Sequence, residues 1–594
     1  MRAACFTVSA MAIVASVAGA RIDSPMRDKP AAPGATPFSD PFGLALKAAL
    51  RHPNGNTRSN AVISMGQLAD KHGEMPQDIV DILIDILNND GSFIRANVIE
   101  ALIPVAKVQE VSEDMVAALG EALQDSSGDV RSAAATAIAH TARTRTIPPH
   151  VIDRLGELVK EDEWDIRSNA VFAIWKAALS KHSIPAKVID ALSDVFGGSG
   201  TERVRCLAAM AIAEAAAAHA MPAELVETLG KALKDMAAQV RIGAAHSIGQ
   251  IAVKREIPER VVDALGDALH DEDKLVRCNV SRAIGKAAGA NKIPLGVIDA
   301  LGGALRDGEK EVRASVAWAL WDVAGKNILS EAVLDSLGVA MADHEAVVRS
   351  HAAGALALAA SRGGMPDRVI DALGDALRDP QKGVRRNAAG ALVAVARSSE
   401  VPKRVLDSLR AALRDGCRKV RYNAALAIGA VASSSEVPEE IICALADALQ
   451  DGVGDVRINV AKALAKAARR HEIPRTSIDA LRAALKDCES DVRRNAARAL
   501  ARAARRARLP EEATYVLAEA LQDSEREVRR LAAVAIGLAA GAGEVPTAVL
   551  VALGGVVDDP EEEVRDAVLE AIGKAAQGND IQARVLQALD EHQR

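Results

Sequence analysis

The chain has 594 residues, 49% hydrophobic, 26% charged and only 2% aromatic, with a formal net charge of −7. Length alone would suggest several globular domains of ~150 residues each. The mild negative balance gives no chain-wide attraction to nucleic acid, and an alanine-rich, aromatic-poor composition predicts a close-packed helical array with little or no β-sheet.

In chain order, Met1-Arg2 precedes a mostly apolar run over 3–20 that ends Ala18-Gly19-Ala20. One charge, an apolar run and a small-residue cleavage site read as a secretory signal peptide, the alternatives being a wrongly chosen start or a tail. The signal predicts an exported protein, secreted or periplasmic; without it the protein would be cytoplasmic. Residues 21–37 read as a flexible lead-in rich in Pro, Ala, Ser and Gly. No later segment offers 18 uninterrupted apolar residues, so no membrane span is expected.

From residue 38 to 594 one arginine recurs as a ruler mark: Arg58, Arg95, Arg131, Arg167, Arg205, and every 36 residues from there to Arg565. Such a period is the mark of a stacked-repeat protein, which grows without a closed globular core. In the copy around Arg385, Val369, Ile370, Leu373 and Leu377 form the apolar stripe of a short A helix. Pro366 suits its first position. A turn containing Asp379 leads into a B helix opened by Val384-Arg385-Arg386-Asn387-Ala388. Seven residues after each arginine stands Met, Leu or Ile, and eleven after it Ala, in all fifteen copies. These positions share one face of the B helix, and neither hairpin can bury that face alone. The fold predicted is an all-α solenoid of about fifteen 36-residue helix-turn-helix repeats. The run 197–201, Gly-Gly-Ser-Gly-Thr, widens one interval to 38 and is either a joint or a tolerated loop insertion.

The proline, the turn aspartate and the arginine six residues later resemble HEAT repeats, and the Val-Arg-x-Asn-Ala-Ala start resembles the phycobilisome-lyase subclass. The resemblance covers roughly 38–590. It implies a ladder of Asp–Arg pairs linking adjacent turns, and a scaffolding role more often than catalysis. In such solenoids the B helices line the concave surface.

Positions one, five, eight, nine and twelve after the arginine vary between copies, so they mark the candidate binding face. Phe172 with Trp175, and Trp318 with Trp321, are spaced to project together, either as partner anchors or as filler between neighbouring helices. Residues 380–510 carry 26 Lys+Arg against 14 Asp+Glu, a net +12, while the rest of the chain has 47 against 66, a net −19. Lys462, Lys466 and Arg469 in repeat 12, and Arg494, Arg498, Arg502 and Arg505 in repeat 13, follow the variable face, with Tyr422 nearby. The stripe predicts an acidic protein or peptide partner; a nucleic acid or other polyanion is the alternative, as is a merely solvated face.

No catalytic, cofactor or metal site is expected. Deoxyhypusine hydroxylases are HEAT-like and hold iron through His-Glu pairs, but His344-Glu345 and His471-Glu472 occupy different places in their repeats and form no matched ligand set. A bilin-lyase role fits the repeat type but not fifteen copies with export. The six cysteines show no metal spacing, and Cys206 and Cys278, two repeats apart, are too distant for a disulfide.

Overall fold

The computed structural model describes residues 37–198, 200–218, 223–542 and 545–576. The expected signal peptide, nearly all of the lead-in, Cys5 and Ser199 of the 197–201 run lie outside them. The described residues form thirty α-helices and two single 3₁₀ turns, without a strand. Contacts cluster into two compact units, Met1–Val297 and Ile298–Arg594. Each is an all-α solenoid of paired A and B helices.

In the first unit a typical pair is Gln77–Asn89 followed by Ser92–Val108; in the second it is Asp367–Ala376 followed by Lys382–Ser398. The A helix buries Val369, Ile370, Leu373 and Leu377 as its spacing requires. Pro366 is the residue before the helix and not its first residue. Its backbone is extended at φ −60°, ψ 141°, and its carbonyl accepts from the amides of Val369 and Ile370. A ring that fixes φ and lacks N–H suits this boundary equally well.

Within each unit every B helix packs mainly on the B helix of the next repeat. The residue seven after the arginine is fully buried in repeats 1–14, and the alanine eleven after it is nearly so. In repeat 15 Ile572 is half-buried and Ala576 exposed, because no described helix covers their far side. Close approach is extreme at Gly537, where a Cβ would meet Ala571 Cα at 2.7 Å and its Cβ at 2.8 Å. Gly537→Ala is therefore expected to destabilise by about 1–3 kcal/mol through overpacking, reversing the ~1 kcal/mol that alanine's helix propensity offers. Hydrogen exchange in Arg526–Ala542 and Glu562–Ala576 should accelerate; slower exchange would show that the two helices separate freely.

The Asp–Arg ladder is present in both units. In the first, Arg58, Arg95, Arg205 and Arg241 pair with Asp90, Asp125, Asp235 and Asp271, and Arg131 pairs with Glu161, at 2.6–2.9 Å. In the second, Arg313, Arg349, Arg385, Arg421, Arg457, Arg493 and Arg529 pair with the turn aspartate of the following repeat at 2.5–2.7 Å. Most arginines also donate to carbonyls of their own turn, as Arg457 Nη1 does to Asp451 at 2.9 Å. Most of the aspartates accept from an amide two residues on, as Asp487 does from Glu489 at 2.8 Å; Asp90 accepts from that of Gly91 instead. One guanidinium thus ties two turns together. At 197–201 this pattern changes. Arg167 bonds only the carbonyls of Glu161 and Asp162 among the described residues, and Arg205 donates to the Gly200 carbonyl, five residues back, as Arg241 does to that of Met236.

Candidate binding surface

The variable positions do not all face outward. Position eight is Gly or Ala in most repeats and is buried against the next B helix, as at Gly429 and Ala465. In repeats 4 and 8 it holds Trp175 and Trp321, and both indoles are half-buried. Phe172 and Trp175 do come together, ring centroids 5.7 Å apart and tilted by 54°. Lys176 covers both, with Nζ 4.4 Å from the indole centroid and 5.4 Å from the phenyl. Trp321 turns to His351 of the next repeat, 5.6 Å between ring centroids. Gly354 makes this possible, since a Cβ there would lie 3.2 Å from the indole. Trp318 is half-buried one turn away, and among the described residues no ring contact joins it to Trp321. Tyr422 is more open, 37% exposed.

The basic stripe divides into paired and unpaired cations. Arg494 pairs with Asp491 within its own helix. Arg498 reaches Glu527 at 3.2 Å and Asn495 at 3.3 Å. Arg502, half-buried, donates to the Ala465 carbonyl. Lys462, Lys466, Arg469 and Arg505 are exposed and enter no ion pair among the described residues. Arg397, at the twelfth position of repeat 10, joins them. Crowding by protein atoms lowers the Lys466 ammonium from its ordinary value, and Arg397 and Lys462 lower it further. Burial likewise lowers Arg502, with Arg469, Arg498 and Arg505 adding to it. Like charges from alternate repeats, 10 and 12, therefore act on one another across a shared face.

The first unit carries a smaller mixed cluster. Burial lowers His246, Lys286 and Arg282 lower it again, and Glu214 opposes them. Elsewhere the chemistry is bland. His344 is exposed in an interhelical turn, and His471 Nε2 accepts from the Val437 amide at 3.1 Å. Among the described residues no group of three or more His, Cys, Asp or Glu is arranged to hold a metal. Among the described residues no disulfide joins Cys206, Cys278, Cys417, Cys443 and Cys488. No described helix is long and apolar enough to cross a membrane.

A family model of HEAT repeats matches residues 44–139, 226–321, 262–357, 298–394, 334–428, 370–465, 406–501, 442–539 and 478–573. The chain belongs to the HEAT-repeat family. A model of the non-SMC mitotic condensation complex subunit 1 is similar over residues 93–196. No curated protein matches. Among solved structures, an engineered protein is 22% identical, covering 72% of this chain and 98% of that one with a TM-score of 0.39. A chain from the structure of Kap95p binding to RanGDP is 14% identical, covering 92% and 79%, with a TM-score of 0.44.

In this HEAT array the sequence reading missed Arg397, Arg386, Arg418 and Lys419. Arg397 and Arg386 stand at positions twelve and one, the same positions as Arg505 and Arg494, so repeat arithmetic could have found them. Arg418 and Lys419 precede their ruler arginine by three and two residues, outside the variable set.

Proposed function

We propose that this HEAT solenoid is a non-catalytic scaffold that binds an extended acidic segment of a partner protein along the B helices of repeats 10–13. The observation that carries this reading is the group of unpaired cations, Arg397, Lys462, Lys466, Arg469 and Arg505, held where like charges oppose one another. That arrangement costs free energy until an anion occupies it. Lys176 over Phe172 and Trp175, and His351 against Trp321, leave those rings a largely structural part. The phycobilisome-lyase likeness bears on repeat type and adds no catalytic role. Export, read from residues 1–20, favours a protein partner over nucleic acid.

The test uses the full chain and a fluorescein-labelled peptide alternating Glu and Gly, with a Gln-Gly twin. Anisotropy should show binding of the acidic peptide alone, weakening with salt. Lys466→Glu combined with Arg505→Glu should reduce affinity about tenfold or more with helicity unchanged. Reversal of Arg498 and Arg502 is a poorer probe, because each already serves the fold. Equal binding of the two peptides would refute the reading, and tighter binding of a DNA duplex of equal charge would move it to nucleic acid.

A further inference from the structure

A cavity of about 500 Å³ opens beside the basic stripe, between the B helices Lys382–Ser398, Arg418–Ser434 and Gly454–Ala467. Its lining includes Arg386, Arg418, Lys419, Tyr422 and Asp455. We propose that it binds a phosphomonoester dianion carried on a serine or threonine of the partner segment, an assignment that rests on the acidic-partner reading above.

Three features point there. The first is cation placement. Arg418 and Lys419 form the first turn of their helix, where no acid stands. Five of the seven other B helices of this unit carry an acid in that turn, Glu311, Asp455 and Asp491 among them, while Ala346–Ala360 and Lys382–Ser398 carry none. Cations are disfavoured at this end of a helix by its dipole, so the local rule is broken as it commonly is at functional sites. The second is the absence of partners. Arg386, Arg418 and Lys419 are exposed and form no ion pair among the described residues; the Arg386 side chain reaches only the Asn387 amide oxygen, at 3.3 Å. The neutral groups are engaged instead. The Asn387 amide donates to the Ser350 carbonyl at 2.9 Å and the Asn423 amide to the Arg386 carbonyl at 3.4 Å. Free cations beside committed amides favour an ionic ligand over a neutral one. The third is charge matching. Three cations against Asp455 leave a net charge of two, equal to that of a phosphomonoester, which carries about −1.5 to −2 near neutrality. Two guanidinium forks suit its oxygens. The cavity exceeds what a bare phosphate fills and lies in the range of sites that enclose a larger ligand, with the Tyr422 ring as one wall.

The experiment compares two labelled peptides, Gly-Glu-Glu-Ser-Glu-Glu-Gly and its phosphoserine form, by anisotropy on the full chain. The phosphorylated peptide should bind about tenfold more tightly. Arg418→Gln with Lys419→Gln, and separately Arg386→Gln, should remove that gain, lowering the affinity of the phosphorylated peptide to that of its unphosphorylated twin, which itself should fall by far less than tenfold. Equal affinity of the two peptides overturns the cavity assignment alone. Failure of both to bind overturns the scaffold reading and this assignment with it. Inorganic phosphate displacing the phosphopeptide at equal concentration overturns the side-chain assignment in favour of a free-phosphate site.

Discussion

Replacing Arg457 by methionine is expected to remove about 3–5 kcal/mol of local stability, the usual cost of orphaning one partner of a buried ion pair. Both side chains are close to buried, 12% exposed for Arg457 and 11% for Asp487. Nε and Nη2 of the arginine hold the two carboxylate oxygens at 2.6 and 2.9 Å, while Nη1 holds the Asp451 carbonyl. Methionine keeps the aliphatic stem and loses these three bonds, along with the contact of Nη2 with Cys488 Sγ at 3.4 Å. Asp487 would then keep its charge with only the Glu489 amide and the weak Cys488 thiol as donors. Adding Asp487→Asn should recover part of the loss, because an amide oxygen can still accept from that N–H without the charge. Repeat arrays need not unfold as one unit, so the measurement is hydrogen exchange in Gly454–Ala467, Arg475–Ala484 and Ser490–Ala504. A loss below ~1 kcal/mol, the range of an exposed pair, would mean that the ladder is decoration and that stacking alone holds the turns.

That ladder was legible in the sequence, because Asp and Arg recur in register and a resemblance supplied their partnership. The buried positions seven and eleven were legible for the same reason. Position eight was not. In most repeats it holds Gly or Ala, which a variable-position reading cannot tell from an unconstrained surface, whereas the structure shows a close helix approach. Trp321 fits there only because Gly354 of the next repeat gives way. The candidate cations were found by position, yet the pairing of Arg498 with Glu527 depends on the register between neighbouring helices. Charge counting cannot distinguish such an engaged arginine from the free Lys466, and it passes over Arg418, whose significance lies in standing at the wrong end of a helix.

Acid should dismantle the array, and the ladder sets where. The bond from Arg58 lowers Asp90 and that from Arg529 lowers Asp559 below the ordinary carboxylate value. At Asp235, Asp343, Asp451, Asp487 and Asp523 burial pushes upward, but the arginine and amide donors outweigh it. A carboxylate whose folded pKa lies below its unfolded value of ~3.9 stabilises the fold above that pH, and the stabilisation disappears as pH falls through the folded value. His140, His246 and His351 are also lowered, by burial first. They favour the fold when neutral, so they add a shallow loss below about pH 6.5. Far-ultraviolet circular dichroism should therefore show a slight decline below pH ~6 and a steep one below pH ~4. Many pairs titrate together, so this is the largest change expected for the whole chain. The ladder also predicts an internal check. The cost of Arg457→Met should be greatest at neutral pH and shrink as Asp487 becomes protonated in both proteins. A cost independent of pH, or full helicity retained at pH ~2, would place the array's stability in its apolar stacking and not in the paired turns.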